Sequence, residues 1–515
     1  MPPSPAPNKL ASPRHKKNWF RCLLLLLVSL VANGILFSGV ESASAQSPAE
    51  PLPVSAKKEP KLSKGEVDDL FLSLKSILEF VSDDTKYPIR QSVKHQMTSR
   101  DKVGEWLNER LRDEEVAERL ENAELVLKKL GLLPREFDLR SFYLELMREQ
   151  VAGFYNTKNK TMYLLDWMPL EQQRPVMAHE LTHALQDQSF QLEEWMKAGR
   201  KPENKNAKPK DLDDGMESIE RDEEEVARHA LAEGQAMAVL LDYFLAPSQR
   251  NVTNSPLLVE AMKESMLEGV GSPVFQRAPL YIKESLAFPY KAGLGFVQDL
   301  LLDGGKDQAY TAAMRNPPRS TREIMVPKAY LRKEALPPLV LPKLAPILGE
   351  QYARHDVGAF GQFDVDVFLK EFSGEKTADK LAPEWRGGAY YALRKKDIPA
   401  ADLRKLSTKE ISLLYLSRWS TPESAKGFAT AYAATLLRRY KFAQSQAAID
   451  SAAPVTRWTT DEGPVLVEQQ GTTVLVLESF DSESTNKIRE AVFGAGKQAL
   501  MSVPEESPLA QIRLY

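Results

Sequence analysis

Five consecutive residues, His179-Glu180-Leu181-Thr182-His183, restrict this chain more than any other stretch of it. On a helix, residues four apart stand one above the other on the same face. His179 and His183 can therefore both direct a ring nitrogen at one Zn²⁺, at roughly 2.0–2.1 Å. Glu180 sits beside them, too close in sequence to serve as a third ligand but well placed to hold an attacking water and take its proton. The flanking Val176, Met177, Ala178, Leu181, Ala184 and Leu185 are apolar, so this helix is mostly buried. Buried ionisable groups need a partner or a metal, which argues against the bland alternative of a polar pair on an exposed helix face.

Composition narrows the remaining donors. Cys22 is the only cysteine in the chain, which excludes disulfides and thiolate metal sites and leaves histidine and carboxylate. Besides the motif pair, the histidines are His15, His95, His229 and His355. The third ligand is sought in ESIERDEEEVARHALAEGQAMAVLLDYFLA, a long helix with acidic residues in its first turns. The acids from Glu220 to Glu225 suit a solvated face, whereas Glu233 lies amid Ala230, Leu231, Ala232, Ala236 and Met237. Small residues at Gly234 and Ala236 let this helix pack closely on the metal helix. His229, one turn earlier on the same face, is the competing ligand, with a role behind the ligands or at the surface preferred for it. A metzincin site is excluded, because that pattern needs Gly and His three and six residues past His183, where this chain has Gln186 and Ser189.

With 515 residues, two to four domains are expected, and a 43% apolar and 27% charged composition is ordinary for a globular protein. A net charge of -3 argues against nucleic-acid binding through a basic face. Residues 1–45 read as a signal peptide or an N-terminal membrane anchor. Arg14, His15, Lys16, Lys17 and Arg21 precede a nearly uncharged run from Cys22 to Val40, and Ala43-Ser44-Ala45 offers a cleavage site before Gln46. Either the segment is removed, giving a periplasmic or extracellular protein, or residues 22–40 hold it on a membrane. Residues 46–62 are a flexible linker, and 63–150 a helical region in which Gly131 ends one helix and Pro134 guards the restart.

Residues 151–335 contain the metal motif. VAGFYNTKNKTMYLLD reads as a hairpin whose second strand, Thr161–Leu165, precedes the metal helix. That helix is expected to begin near Gln173, with Pro175 in its first turn. An open edge on the second strand would let an extended peptide dock by strand addition; a purely structural hairpin is the alternative. Lys197 to Gly215 reads as a surface loop. From Phe275 to Leu331 the pattern is helical, with one helix ending at Gly304-Gly305. From about residue 343 to 515 a separate α+β domain is expected. Its strands are Trp385–Leu393, Ile411–Trp419, Val465–Gln469 and Val474–Glu478, and its helices are Glu423–Tyr440 and Ser482–Phe493.

HELTHA followed by Asp187 resembles the zinc helix of thermolysin-type gluzincins, whose third ligand is a glutamate on a following helix. A closer likeness runs from about Ser63 to the C-terminus. REQVAGFY, HELTHALQDQ, ALAEGQA, FPYKAGLGFV, a Gly-Gly pair, PPRSTREIM and Pro327-Lys328-Ala329-Tyr330 resemble an uncharacterised family of exported bacterial zinc-metallopeptidase-like proteins. Members often carry His where this chain has Val326, so that segment is not expected to supply a histidine. The resemblance implies an α+β fold: a mainly helical zincin-like core with a small antiparallel sheet, then the separate C-terminal domain. It further implies one Zn²⁺ per chain on His179, His183 and Glu233, Glu180 as general base, and a peptide or protein substrate. Because gluzincins often stabilise the oxyanion with a Tyr or His, Tyr290 and Tyr330 are the candidates, with core packing as the alternative for each. The rival to an enzyme is a non-catalytic envelope protein whose zinc only staples two helices. A structural site is closed by a fourth ligand, and His229 and Asp187 are the residues that could supply it.

Overall fold

A computed structural model of the chain describes residues 62–494 apart from 112–113, 151–152, 167, 198–211, 214–215, 269–271, 338 and 447–454. The leader segment, almost all of the linker and most of the loop after Lys197 therefore lie outside the described residues. No described helix is long and apolar enough to cross a membrane.

Helices and a small sheet build the first core. Helix α1 (Lys64–Thr85) starts at a capping box in which Ser63 and Glu66 satisfy each other's main-chain donors. Its buried Leu70, Ile77, Leu78 and Val81 recur at helical spacing and join the apolar core of the metal helix. Strand β1 (Lys94–Thr98), helices α2 (Arg100–Leu111), α3 (Glu114–Lys129) and α4 (Leu139–Gln150), and strands β2 (Gly153–Asn156) and β3 (Thr161–Leu165) follow. The hairpin β2–β3 forms where the sequence predicts it, but the sheet has a third member. β1 pairs parallel with β3, giving the order β1-β3-β2, so the small sheet is mixed rather than antiparallel. Helix α5 (Leu170–Phe190) carries the histidines and begins three residues before Gln173, placing Pro175 inside it rather than in its first turn. The earlier start is held by Gln173, whose buried amide donates to the carbonyls of Leu165 and Met168.

Helix α6 (Met216–Leu245) packs against α5, against α1 and, most extensively, against α8 (Leu280–Lys306); α7 (Pro256–Glu268) lies on α8 in turn. The tight crossing of α6 and α8 is made by two glycines. A methyl added at Gly234 would stand 2.2 Å from the carbonyl oxygen of Gly293, and one added at Gly293 would stand 2.1 Å from that of Ala230. The small residue after Glu233 thus serves the approach of α8 rather than that of the metal helix, which corrects the sequence-based expectation. After Gly305, whose φ of 69° leaves the helical region, a π-helical turn covers Asp307–Ala312.

The C-terminal domain is a seven-stranded antiparallel sheet in the order β4-β5-β6-β10-β9-β8-β7. Its strands are β4 (Tyr352–Ala359), β5 (Trp385–Lys395), β6 (Ile411–Trp419), β7 (Ala443–Ser445), β8 (Val455–Thr460), β9 (Gly463–Gln470) and β10 (Thr473–Glu478). Alternation along the strands fills both faces. Leu413, Tyr415, Val465, Val467, Val474 and Val476 pack under α9 (Gln362–Ser373) and α10 (Pro422–Arg439). Leu414, Leu416, Leu466, Leu475 and Leu477 pack on the opposite side with Leu344, Leu348 and Ile488. The protein is thus α+β, a mainly helical part with a small sheet followed by a separate sheet domain.

The two parts are joined by α3. It ends in a Schellman turn at Gly131, whose φ is 76°, with Leu132 N–H bonded to Leu127 O and Gly131 N–H to Lys128 O. Val126, Leu130 and Leu132 enter the core of the C-terminal domain. The fully buried Lys129 donates to Thr408 O, Glu462 and Ser479, while Arg439 forms an ion pair with Glu478 at 2.9 Å. Burial alone would raise the Glu478 pKa, but Arg439, Lys129 and the hydroxyls of Tyr440 and Tyr432 outweigh it and hold it below the usual 4.5.

Two predictions follow from this packing. Gly234→Ala should destabilise the protein by about 3 kcal/mol, since main chain rather than a flexible side chain must give way; a denaturant melt measures it. Glu478→Gln leaves the buried Arg439 without its ion-pair partner and should cost about 3–5 kcal/mol at pH 7. A depressed folded pKa means that the Glu478 contribution is present above pH 4.5 and lost as pH falls through the folded value. Melts of wild type and Glu478→Gln should therefore converge in strong acid and separate as pH rises.

Candidate metal centre

Packing of α6 on α5 brings three donor atoms together. The Nε2 atoms of His179 and His183 are 3.1 Å apart, and Glu233 Oε2 lies 3.1 Å from the first and 3.4 Å from the second. Two ligands at roughly 2.0–2.1 Å from a tetrahedral ion are about 3.3–3.4 Å apart. The triangle therefore has the dimensions of one face of a zinc tetrahedron, and its chemistry of two imidazoles and a carboxylate suits that ion. His179, His183 and Glu233 form the one cluster of histidine and carboxylate donors among the described residues able to hold a metal. His179, Glu180 and Glu233 are at most 1% exposed, and His183 is 5% exposed.

The surrounding charges make sense of this burial. For His183, burial opposes protonation, but the charge and hydrogen bond of Glu233 win and push its pKa up to about 9. His179, more deeply enclosed, is shifted below its ordinary value by the loss of water. Burial would raise Glu233, yet His183, His179 and His229 together hold it well below the carboxylate range. Glu180 is left with the least compensation: burial lifts its pKa to about 8, against the charge of His183 and the main-chain N–H of Tyr155. Its Oε1 is buried with no hydrogen-bond partner. A cation on the adjacent triangle would favour the charged form of this carboxyl group.

The other candidates fall in different places. His229 Nε2 is 3.3 Å from Glu233 Oε1, the oxygen turned away from the triangle, so this ring stands behind the ligand. Asp187 is committed to the hairpin, accepting from Tyr155 Oη at 2.9 Å, Lys160 Nζ at 2.6 Å and the main-chain N–H of Leu192 at 3.2 Å. Tyr290 is buried, and its ring lies over that of His179 with centroids 6.4 Å apart. It is held there by the glycine contact one helical turn later. The Tyr330 hydroxyl donates to Asn316 O at 2.7 Å, and its ring meets Phe296 edge-on.

Two features escaped the sequence. Gln186 was visible only as a break in a metzincin pattern, yet its Oε1 lies 2.9 Å from His183 Nδ1. The expected docking edge is also corrected. β3 is the middle strand, covered by β1 and β2, because residues 94–98 add an unforeseen strand. The strand at the sheet's edge and against α5 is β2, the strand that contains Tyr155.

Comparison with known proteins agrees with this geometry. Residues 134–244 match the peptidase M78 family, described as an IrrE N-terminal-like domain, a stretch that includes the hairpin, α5 and Glu233. Residues 350–489 match a domain of unknown function, DUF8575. No curated protein and no solved structure matches the chain. The peptidase-family match and the buried His–His–Glu group together point to a metal-dependent peptidase-like domain.

Ligand and supporting roles separate by mutation. Glu233→Ala should weaken zinc binding by at least 100-fold in a chelator competition, whereas His229→Ala, which removes only a support, should weaken it by about 10-fold. A reversed order would make His229 the ligand.

Proposed function

We propose that this chain is a zinc-dependent metallopeptidase of gluzincin type, with one Zn²⁺ per chain held by His179, His183 and Glu233. The observation that carries the proposal is the triangle of ligand atoms with the unpartnered carboxyl oxygen of Glu180 beside it. Zinc, when bound, polarises a carbonyl and lowers the pKa of a water toward about 7. Glu180 accepts the proton of the attacking water and passes it to the leaving amine. Burial keeps bulk water from competing for that proton. An extended peptide would lie along β2 rather than β3, beside the Tyr155 main chain, and reach the triangle from the side of His183. Tyr290, over the His179 ring, is the better placed of the two tyrosines to support the oxyanion.

A structural zinc staple is the second reading. It needs a fourth protein ligand; Asp187 is engaged by Tyr155, Lys160 and Leu192, and His229 stands behind Glu233. Those placements favour an open site. We further propose that the protein is exported to the periplasm or extracellular space, or stays membrane-anchored through residues 22–40, and acts on peptides or proteins rather than nucleic acids. The leader sequence and the absence of a basic excess support this.

The test pairs metal content with cleavage. Wild type should bind one zinc and cleave unstructured substrates. Glu180→Gln should keep the zinc and lose about 10²–10⁴-fold in rate, and His183→Ala should lose the metal. A large stability loss on chelation with no cleavage under any condition would establish the staple instead.

A further inference from the structure

Behind the ligands, a chain of buried amides runs from His183 to the opposite side of α6. His183 Nδ1 faces Gln186 Oε1 at 2.9 Å. Gln186 Nε2 lies 3.1 Å from Ala232 O and 2.9 Å from Gln235 Oε1. Gln235 Nε2 in turn lies 2.8 Å from Ala309 O and 3.2 Å from Tyr310 O. Tyr87 Oη, from the segment after α1, lies 2.9 Å from Gln235 Oε1. Gln186 and Gln235 are fully buried, and Tyr87 nearly so.

The direction of every bond in this chain is forced from one end. Main-chain carbonyls only accept, so the group that Gln235 presents to Ala309 and Tyr310 must be its NH₂. Its oxygen then faces Tyr87 and Gln186, and both must donate to it. Gln186 therefore points its NH₂ at Gln235 and at Ala232 O, and turns its oxygen to His183. That oxygen accepts only, so His183 carries a hydrogen on Nδ1, and the neutral ring has its lone pair on Nε2, the atom on the triangle. The carbonyls that start the sequence belong to the π-helical turn after Gly305, a type of turn frequently found at functional sites.

We propose that Gln235, Gln186 and Tyr87 form a positioning relay that fixes the tautomer and ring orientation of His183 toward the metal. The inference rests on the metal-centre reading above. It also makes the N-terminal segment a resident part of that centre. Tyr87 holds Gln235, the main-chain N–H groups of Arg90 and Gln91 donate to Gln188 on the metal helix, and β1 completes the sheet.

The test measures zinc affinity of the full chain by competition with a chromophoric chelator, beside the visible spectrum of the cobalt form and melts of the metal-free protein. Gln186→Leu and Gln235→Met should each lose about 10–100-fold in zinc affinity and shift the cobalt bands. Tyr87→Phe, which keeps the ring, should lose about 2–10-fold. Gln186→Glu should recover most of the affinity, because its carbonyl oxygen can accept from His183 while its protonated oxygen donates to Gln235. Should Gln186→Leu fail to fold, Tyr87→Phe and Gln186→Glu decide the matter. Variants that bind zinc like wild type, with unchanged cobalt spectra, would overturn the relay alone. So would a Gln186→Glu that binds as weakly as Gln186→Leu. A wild type that binds no zinc would remove both the relay and the metal centre. Lost affinity in the variants with no cleavage by wild type would support the relay and remove only the peptidase reading.

Discussion

The contact between Gly234 and Gly293 sets the position of everything that matters at the metal centre. Glu233 immediately precedes one of these glycines, and Tyr290 lies one turn before the other. With no Cβ on either side, α6 and α8 meet main chain to main chain, and a contact between two main chains has almost no slack. The depth of α6 in the molecule is thereby fixed. The adjoining face, about 100° round the helix, can then present Glu233 to His179 and His183 on α5 at ligand-to-ligand spacing. A helix pair held by long side chains could drift by an ångström; a shared ion with bonds of roughly 2 Å tolerates far less.

Burying two histidines and two glutamates in one place is costly without compensation, and the site divides the cost unevenly. Glu233 faces three imidazoles and is stabilised as an anion. Glu180, one residue from a ligand, receives a single main-chain donor and the field of His183, which do not offset its burial. Equivalent residue types thus acquire opposite tendencies from their surroundings, one suited to bind a cation and the other to exchange a proton. Gln186 extends the same economy outward, its Oε1 lying 2.9 Å from His183 Nδ1.

Much of this was legible in the sequence because it is local. The histidine spacing declares a shared helix face, apolar neighbours declare burial, and Glu233 stands out from the other acids of its helix by the alanines and leucines around it. The strands β5, β6, β9 and β10 announce themselves by hydrophobic runs between turn signals. What was missed depends on partners distant in sequence. KHQMT at β1 has no apolar alternation, and its strand state comes from pairing with β3, 67 positions away at Lys94↔Thr161. YARHDVGA at β4 carries three polar residues in succession; Asp356 is tolerated because Tyr390 on the next strand donates to it at 2.7 Å. The partner of Gly234 was misassigned for the same reason, since a small residue advertises a close approach without naming what approaches.

The segment PPRSTREIM, to which the sequence attached no chemistry, acquires a mechanical meaning. Ser320 caps a short helix over Thr321–Met325. Thr321 donates through both main chain and hydroxyl to Glu223, on the helix that also carries Glu233. The next residue, Arg322, reaches the other way, to Gln362 and Pro383 O in the C-terminal domain and to Glu334. Consecutive side chains thus grip the ligand-bearing helix and the sheet domain at once, and Phe363 N–H closes the link by donating to Thr321. Helix α3 makes the second bridge through Lys129. The two bridges stand at different points of the sheet domain, and two separated attachments restrict rotation in a way one cannot. The ten residues before α9 include β4, which itself lies against α6. Displacing the sheet domain would consequently pull on the helix that holds Glu233, so the C-terminal domain bears on the metal centre without contributing a ligand to it.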